Sequence, residues 1–514
     1  MTLSRRHFLG LSGGAAIGAT LGGCALASGS ATGNLLRSSL RLPGPFTVPL
    51  PVPAVAVPTD TTGGTDHFAI TQRHAEVEIL PGTKTPILGY DGQFPGPTVP
   101  SRTGRPVIVE HINELDIPSV VHLHGGHTPA ASDGFPTDYV LPRGMDTVPG
   151  HHQGGTISRG SFAYEYPMTQ RAATLWYHDH RMDFTGPAVY HGLAGFHLIH
   201  DDEEEALPLP GGDRDIPLMI TDRAFEADGA FRYPALDPTM LEQPGVTEQY
   251  MAGVLGDVVL VNGAPWPELD VDAVRYRFRI LNASNARRYD LRLDPRPPQG
   301  ASFTQIGSDG GLLAAPLEHP NLRIAPAERF DVVIDFSAYP VGSLVTLTNA
   351  FGTGSTKNVM RFRIARKARD DSNVPPRLSR VEGISSTAGT LTREFTFTQG
   401  PLPSGETGWL INGRAYDPAR IDSKVPLGDI ELWRFITDVH HPIHVHLEQF
   451  QVTRRGGGGP GPFDTGWKDT IDLRPGEVVE VAIRMTDYAG TYVMHCHNLE
   501  HEDMMMMSNF QTLR

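Results

Sequence analysis

The sequence is poor in cysteine, has no excess of positive charge and lacks a long, strongly apolar run. Its two cysteines, Cys24 and Cys496, are too few for the disulfide framework that stabilises many secreted proteins. Lys and Arg number 43 against 58 Asp and Glu, and the net charge of −15 excludes nucleic acid or anionic lipid as a partner bound by charge alone. No segment is long and apolar enough to predict a membrane span.

The composition and length predict a globular protein of several domains. The chain has 514 residues, of which 39% are hydrophobic and 20% are charged. This length corresponds to about three domains of ordinary size. Because its 56 Gly and 44 Pro are spread along the chain, a fibrous or wholly disordered protein is excluded.

Residues 1–30 resemble an export signal. A twin-arginine pattern precedes an apolar, Gly- and Ala-rich stretch: Ser4-Arg5-Arg6-His7-Phe8-Leu9. This pattern predicts export of the folded protein by the twin-arginine route to the periplasm, the cell surface or the medium. Leu21-Gly22-Gly23-Cys24 also resembles a lipoprotein cleavage box. Two outcomes therefore stay open, since Cys24 either carries a lipid anchor or is removed with the signal.

After the signal, a repeat of short alternating runs predicts an all-β fold, and no long helical period competes with it. The chain contains three similar turns: Gly89-Tyr90-Asp91-Gly92, Val261-Asn262-Gly263 and Ile411-Asn412-Gly413. Three strand-like runs follow each turn, and they correspond between the repeats. The first runs are residues 107–113, 276–282 and 431–437; the second are 161–166, 329–334 and 478–483; and the third are 174–178, 343–347 and 491–495. Three homologous β-sandwiches fit this repeat better than one large sheet.

The predicted domain boundaries follow from this repeat and from two stretches of low complexity. A Pro-rich stretch near residues 42–58 predicts an extended spacer, and a polar stretch rich in Ser and Pro predicts a linker before the third repeat. The resulting division is a signal at 1–30, a spacer at 31–66, a first sandwich at 67–205, a second at 206–367, a linker at 368–390 and a third sandwich at 391–514.

The chain has 22 histidines, and four short groups of them fall where the first and third repeats correspond. The first repeat contains His122-Leu123-His124 and His178-Asp179-His180, and the third contains His441-Pro442-Ile443-His444-Val445-His446 and His495-Cys496-His497. The second repeat has Leu347-Thr348-Asn349 at the equivalent place. Two sandwiches are therefore predicted to carry metal ligands, and the middle one is not.

A His-x-His pair on a strand presents both imidazoles to one side, because residues i and i+2 share a face and residue i+1 points the opposite way. A single pair of this kind is usually structural or solvated. Four pairs at equivalent places can instead supply eight neutral nitrogens to one metal cluster where two domains meet. Copper, zinc and iron all favour this type of ligand.

The cysteine in the last group distinguishes between these metals. Cys496 lies between His495 and His497, so its sulfur points to the opposite face of the strand. There it can join His441, which Pro442 displaces from the other histidines of its motif, and His501. One thiolate with two imidazoles and a distant thioether is typical of an electron-transfer copper site.

Met506 is the candidate for the distant thioether. It lies in a run of four methionines, so its neighbours are alternatives that could equally fill gaps in a core: Met504, Met505 and Met507. A structural zinc site is disfavoured, because such sites generally use several thiolates or a closed four-ligand spacing.

These motifs resemble those of the three-domain multicopper oxidases, close to the bacterial spore-coat laccases, bilirubin oxidases and phenoxazinone synthases. The likeness extends from about Phe68 to the C-terminus. Besides the histidine groups it includes Phe94-Pro95-Gly96-Pro97-Thr98, Ser132-Asp133-Gly134, residues 276–284 and Trp467-Lys468-Asp469-Thr470. The resemblance implies three consecutive cupredoxin-like Greek-key β-sandwiches.

The resemblance also implies four copper ions and their ligands. These are His441, Cys496, His501 and Met506 for type 1; His122 and His444 for type 2; His124, His178 and His497 for one type 3 copper; and His180, His446 and His495 for the other. It further implies that electrons taken singly at type 1 pass from Cys496 through its neighbours to the other three ions. Four electrons there reduce dioxygen to two waters.

Two carboxylates are candidates, by the same resemblance, for supplying protons to the reduced oxygen. Glu502 directly follows His501, and Asp133 lies in Ser132-Asp133-Gly134. Buried carboxylates with shifted pKa values are common proton donors. The alternative is that both are salt-bridged or only orient a ligand histidine.

The function implied by the resemblance is that of a laccase-like enzyme with dioxygen and a small aromatic reductant as partners. Phenols, aromatic amines and bilirubin-like pigments are the expected reductants. The alternative is a cuprous or manganous ion oxidase in copper tolerance, but such cuprous enzymes tend to carry a long Met-rich insert, and this chain has only residues 504–507. A non-catalytic envelope protein on the same fold is disfavoured, because the ligands are retained. The motifs leave the oligomeric state open.

Overall fold

The computed structural model describes residues 33–148, 155–384, 391–402 and 405–514. The twin-arginine segment, Cys24 and residues 385–390 of the predicted linker lie outside the described residues. Strands dominate the described ranges, as the all-β prediction requires, and the α-helices there are short: Thr185–His191, Asp202–Glu205 and Leu499–Asp503. Within these ranges no helix combines the length and apolarity needed to cross a membrane.

The first sandwich is built from two four-stranded sheets. In spatial order one sheet contains Thr85–Tyr90, Asp66–Val77, Val107–Asn113 and Ser161–Tyr166, and the other contains Gly96–Arg102, Ala194–His200, Ala173–Asp179 and Val121–His124. A short ribbon pairs Tyr139–Leu141 with Ile157–Arg159. Apolar side chains of both sheets, such as Val109 and Leu175, form one buried core.

The second sandwich has the largest sheet. In spatial order that sheet contains Ala264–Pro265, Val258–Val261, Asp215–Phe225, Arg275–Asn282, Arg329–Asp335, Phe303–Ser308 and Gly311–His319, with Phe231–Arg232 on the edge of Asp215–Phe225. The facing sheet contains Glu268–Asp272, Asn358–Arg366, Leu344–Asn349, Tyr289–Asp294 and Leu322–Ile324. A separate parallel pair joins Asn34–Leu35 to Val254–Leu255.

The third sandwich has two five-stranded sheets. One contains Thr407–Ile411, Leu391–Pro401, Ile430–Thr437, Val478–Arg484 and Phe450–Arg455, and the other contains Ser423–Pro426, Met507–Leu513, Gly490–Cys496, His441–Val445 and Thr470–Leu473. Short 3-10 turns elsewhere in the described ranges are Thr62–Gly64, Ala130–Ser132, Gly212–Arg214, Glu248–Tyr250, Phe336–Ala338 and Gly354–Lys357.

The same strand pairing recurs in all three sandwiches. A parallel pair forms the centre of each: Asp66–Val77 with Val107–Asn113, Asp215–Phe225 with Arg275–Asn282, and Leu391–Pro401 with Ile430–Thr437. Each turn of the sequence repeat holds two residues at positive φ, namely Asp91 and Gly92, Asn262 and Gly263, and Asn412 and Gly413. Asn, Asp and Gly tolerate this conformation best, so the repeat in sequence is also a repeat of backbone geometry.

The predicted spacer is extended but is docked on the sandwiches. The backbone N–H of Leu50 donates to the Glu268 carbonyl at 2.9 Å, and that of Ala56 donates to the Thr98 carbonyl at 2.8 Å. Proline removes donors from such a stretch, but its remaining N–H groups can still pair with a strand. Because Glu268 belongs to the second sandwich and Thr98 to the first, the stretch ties the two together.

Candidate metal centres

Strand pairing places the histidine motifs on two sheets that face each other where the first and third sandwiches meet. In the first sandwich His178 lies opposite His122, and in the third His495 lies opposite His444. Cys496, the central residue of its motif, points the other way into the core of the third sandwich. The alternation of side chains along a strand therefore directs each pair outward, toward the junction.

Eight histidines form one buried group at this junction, which we term the histidine cluster: His122, His124, His178, His180, His444, His446, His495 and His497. Imidazoles from the two sandwiches stack on each other across the junction. The ring centroids of His122 and His446 are 3.7 Å apart, and those of His124 and His444 are 3.6 Å apart. The sequence prediction that these four motifs converge is matched by their positions.

The ring nitrogens of the cluster form groups whose ligand atoms all lie within 4.8 Å of one another: His122, His444 and His446; His124, His178 and His497; and His180, His446 and His495. The Nε2 atoms of His180 and His495 are 3.2 Å apart. Two nitrogens bound about 2.0 Å from one tetrahedral ion lie about 3.3 Å from each other, so this spacing suits a pair of ligands to one metal.

These nitrogens have the chemistry of metal ligands. Burial lowers the pKa of His178 to about 3 and that of His180 to about 4, so both rings are neutral near pH 7. Several buried nitrogens make no hydrogen bond, namely His124 Nδ1, His178 Nε2 and both ring nitrogens of His497. An unpartnered buried polar atom is costly, and metal coordination through one nitrogen would relieve this cost in each of the three rings.

A second group of donors, which we term the sulfur cluster, consists of His441, Cys496 and His501. The Cys496 Sγ atom is 3.3 Å from His441 Nδ1 and 3.6 Å from His501 Nδ1, and the two Nδ1 atoms are 3.1 Å apart. All three residues are fully buried, and Met506 belongs to the same apolar core. Burial raises the pKa of the Cys496 thiol, so a bound cation is needed to hold it as a thiolate.

The two clusters are joined by consecutive residues of one chain segment. Strand Gly490–Cys496 ends on the cysteine of the sulfur cluster. Its neighbours His495 and His497 belong to the histidine cluster on the other face. One peptide bond joins Cys496 to His495 and another joins it to His497, so the shortest covalent connection between the clusters is a single peptide bond in each direction.

Known proteins resemble this chain in sequence and fold. Family models described as "Multicopper oxidase" match residues 71–204 and 386–514. A laccase of Bacillus stratosphericus is 37% identical over 90% of this chain and 98% of the relative, and a bilirubin oxidase of Albifimbria verrucaria is 36% identical over 93% and 84%. The crystal structure of a laccase from Pediococcus acidilactici superposes with a TM-score of 0.79 at 30% identity, covering 93% of this chain and 96% of that one.

The chain belongs to the multicopper oxidase family. Multicopper oxidases are oxidoreductases that carry four copper ions, of types 1, 2 and 3, on cupredoxin-like domains. The predicted fold class and the resemblance drawn from sequence are thereby confirmed. The donor sets of this multicopper oxidase fit its cofactors, since the sulfur cluster offers a thiolate with imidazoles and the histidine cluster offers imidazoles alone.

The two candidate proton carriers of this multicopper oxidase contact the histidine cluster. His495 Nδ1 lies 3.0 Å from Glu502 Oε2, and His446 Nδ1 donates to Asp133 Oδ2 at 2.8 Å. Burial raises the pKa of Asp133. Burial would also raise the pKa of Glu502, but the adjacent His495 and His180 outweigh it and bring the value to about 2. Both carboxylates thus lie beside a ring nitrogen of the histidine cluster, where each can orient an imidazole.

Asp469 is a functional residue that the sequence marks only as part of a motif. Its Oδ1 atom accepts from His124 Nε2 at 3.1 Å, and its backbone carbonyl accepts from His444 Nδ1 at 2.9 Å. Arg329, from the second sandwich, donates to both carboxylate oxygens of Asp469. It also donates to the Thr174 carbonyl of the first sandwich at 3.0 Å. One buried guanidinium therefore connects all three sandwiches beside the histidine cluster.

The outer ring nitrogens of the sulfur cluster are held by residues that no sequence motif marks. His441 Nε2 donates to Asp438 Oδ1 at 3.0 Å, and His501 Nε2 donates to the Ala252 carbonyl at 3.2 Å. The Trp409 ring stacks on His501 with centroids 3.7 Å apart. These contacts fix both imidazoles and leave each Nδ1 directed at the sulfur.

Proposed function

We propose that this multicopper oxidase takes electrons one at a time from phenols, aromatic amines or bilirubin-like pigments and reduces dioxygen to two waters. The observation that carries the proposal is the His495-Cys496-His497 segment, which joins a sulfur-containing cluster to an all-imidazole cluster. Laccases and a bilirubin oxidase are among the relatives that are 35–37% identical over most of the chain, which supports an organic reductant.

The proposed ligands follow the two clusters. Type 1 copper is assigned to His441, Cys496, His501 and Met506; type 2 to His122 and His444; and the type 3 pair to His124, His178 and His497 with His180, His446 and His495. When bound, these ions supply one-electron redox chemistry, and four of them match the electrons that one dioxygen requires. The protein orients the imidazoles through Asp133, Glu502 and Asp469, and it excludes bulk water from both clusters by complete burial.

Glu502 is proposed to hold and release protons at its carboxylate beside His495, with Asp133 doing the same beside His446. Glu502→Gln keeps an oxygen beside His495 Nδ1, but the amide cannot take up and release a proton as a carboxylate does. We therefore expect turnover to fall about 100-fold or more. Steady-state oxygen uptake of the copper-loaded variant measures this effect, with unchanged copper content and blue absorption as the control. Near-normal turnover would show that Glu502 only orients the ring.

The choice of reductant is tested by oxygen uptake of the copper-loaded protein with 2,6-dimethoxyphenol and with cuprous ion in parallel. We expect a higher kcat/KM for the phenol. A cuprous ion oxidised equally well or better would identify the protein as a metal-ion oxidase. Manganous ion serves as a second inorganic donor in the same assay. Enzyme-free reactions correct for the direct oxidation of cuprous ion by oxygen.

The cellular location is proposed from the sequence alone. Arg5 and Arg6 belong to a twin-arginine signal, so the folded protein is exported to the periplasm, the medium or the cell surface. A lipid on Cys24 would anchor it there, whereas cleavage beyond Cys24 would release it. Mass determination of the N-terminal peptide from the exported protein distinguishes these two forms. Recovery of the protein from the cytoplasm alone would contradict export.

A further inference from the structure

A short backbone segment separates the sulfur cluster from solvent. Residues 250–252, which we term the cover, are partly exposed, whereas His501 beneath them is fully buried. The Ala252 carbonyl accepts from His501 Nε2 at 3.2 Å and from Asn498 Nδ2 at 3.1 Å. The Met251 carbonyl accepts from Trp409 Nε1 at 3.1 Å. The cover is thus bonded directly to the ligand imidazole and to the indole stacked on it.

The N-terminal strand Asn34–Leu35 fixes the chain that leaves the cover. It pairs in parallel with Val254–Leu255, and the Asn34 N–H donates to the Gly253 carbonyl at 2.9 Å. The Asn34 side-chain amide also donates to the Gln249 carbonyl, on the other side of the cover. A β-carbon at Gly33 would lie 2.6 Å from the Gly253 carbonyl oxygen, and Gly33 has φ +145. Glycine is therefore required where the strand meets the cover.

Two further contacts hold the same chain segment in place. The Ser38 N–H donates to Asp257 Oδ2 at 2.9 Å, just beyond the paired strands. The Val254 N–H donates to Glu500 Oε2 at 3.1 Å, on the helix that carries His501. Leu36 anchors the N-terminal strand, since its side chain is buried in the core of the second sandwich. The chain is therefore held in place both before and after the cover.

We propose that the N-terminal strand, by fixing the cover over the sulfur cluster, determines which reductants this enzyme accepts. This inference rests on the proposed function. Because His501 is fully buried beneath the cover, a donor outside the cover cannot touch the imidazole. Because the strand holds the Met251–Ala252 peptide in place, loosening the strand widens the approach to the sulfur cluster and favours large donors over small phenols.

The first test measures access to His501 in the metal-free protein. Gly33→Val places a branched side chain against Gly253, whereas Gly44→Val is a matched control whose β-carbon would have only the Thr47 methyl within contact, at 3.9 Å. Carbethoxylation of His501 by diethyl pyrocarbonate is followed by peptide mass mapping. We expect carbethoxylation of His501 to be about tenfold faster in Gly33→Val than in the wild type, because local opening of the cover exposes the ring. The rate should be unchanged in Gly44→Val. Asn34→Ala, a milder change, should act in the same direction.

The second test uses the copper-loaded proteins and compares kcat/KM for bilirubin, a large donor, with that for 2,6-dimethoxyphenol, a small one. We expect this ratio to rise at least about fivefold in Gly33→Val and to rise less in Asn34→Ala, because a loosened cover lets the larger donor come closer to the sulfur cluster. Unchanged labelling of His501 in both variants, or faster labelling with an unchanged ratio, would overturn the inference. If the wild-type enzyme oxidised neither donor, the proposed function would be refuted instead. The labelling of His501 does not depend on oxidase activity, so the two failures can be told apart.

Discussion

Replacing Cys496 by serine is expected to abolish the blue absorption of the copper-loaded protein and to lower its oxidase activity at least about 1,000-fold. A loss of this size is usual when one of several residues that act together in catalysis is removed. Cys496 supplies the sulfur that lies 3.3 Å from His441 Nδ1 and 3.6 Å from His501 Nδ1. A serine hydroxyl is a far weaker ligand for copper than a thiolate, and it cannot give a thiolate-to-copper colour. Copper content should fall from four ions per chain to three.

The other cysteine provides the matched control for this experiment. Cys24 lies in the predicted export segment, so Cys24→Ser should leave both the colour and the copper content unchanged. Absorption spectra and metal analysis of the two variants, loaded under identical conditions, make the comparison. A Cys496→Ser protein that stays blue would show that the sulfur cluster is not the type 1 site.

Replacing Arg329 by methionine is expected to destabilise the protein by about 3–5 kcal/mol, the usual cost of leaving a buried charge without its partner. Arg329 is fully buried and forms paired hydrogen bonds with Asp469. Asp469 in turn contacts His124 and His444, so the same change should weaken copper binding by about 10- to 100-fold. Urea unfolding of the metal-free protein and copper titration measure the two effects separately.

Two further variants identify the cause of that loss. Asp469→Asn added to Arg329→Met removes the unpaired carboxylate, so the double variant should regain part of the lost stability. Arg363→Met breaks an exposed ion pair with Asp270 and should cost no more than about 1 kcal/mol. If Arg329→Met were as mild as Arg363→Met, the buried guanidinium would not hold the three sandwiches together.

Much of the fold and of both clusters can be predicted from sequence, because their determinants are local. The runs 107–113 and 161–166 are strands with those same bounds in the structure. The opposite orientation of Cys496 and its neighbours follows from strand alternation alone. His441 lies an odd number of residues before His444, so the same rule places it on the cysteine's side.

The remaining features depend on contacts between distant segments. Arg329 lies in the sandwich that has no ligands, and only the assembled structure brings it to Asp469 and Thr174. The Ala252 carbonyl has no sequence signature, because any residue can present a backbone oxygen. The Pro-rich stretch is extended, as its composition indicates, but its docking depends on free edge groups at Glu268 and Thr98. The domain boundaries and the copper type assigned to each ligand stay predictions.

A single residue, Cys496, joins two metal centres of different composition. A crystal structure of the copper-loaded protein, with anomalous diffraction measured on both sides of the copper absorption edge, tests it most directly. We expect one copper peak among His441, Cys496 and His501 and three peaks within the histidine cluster. A sulfur cluster without copper, or a histidine cluster holding fewer than three ions at full occupancy, would contradict it.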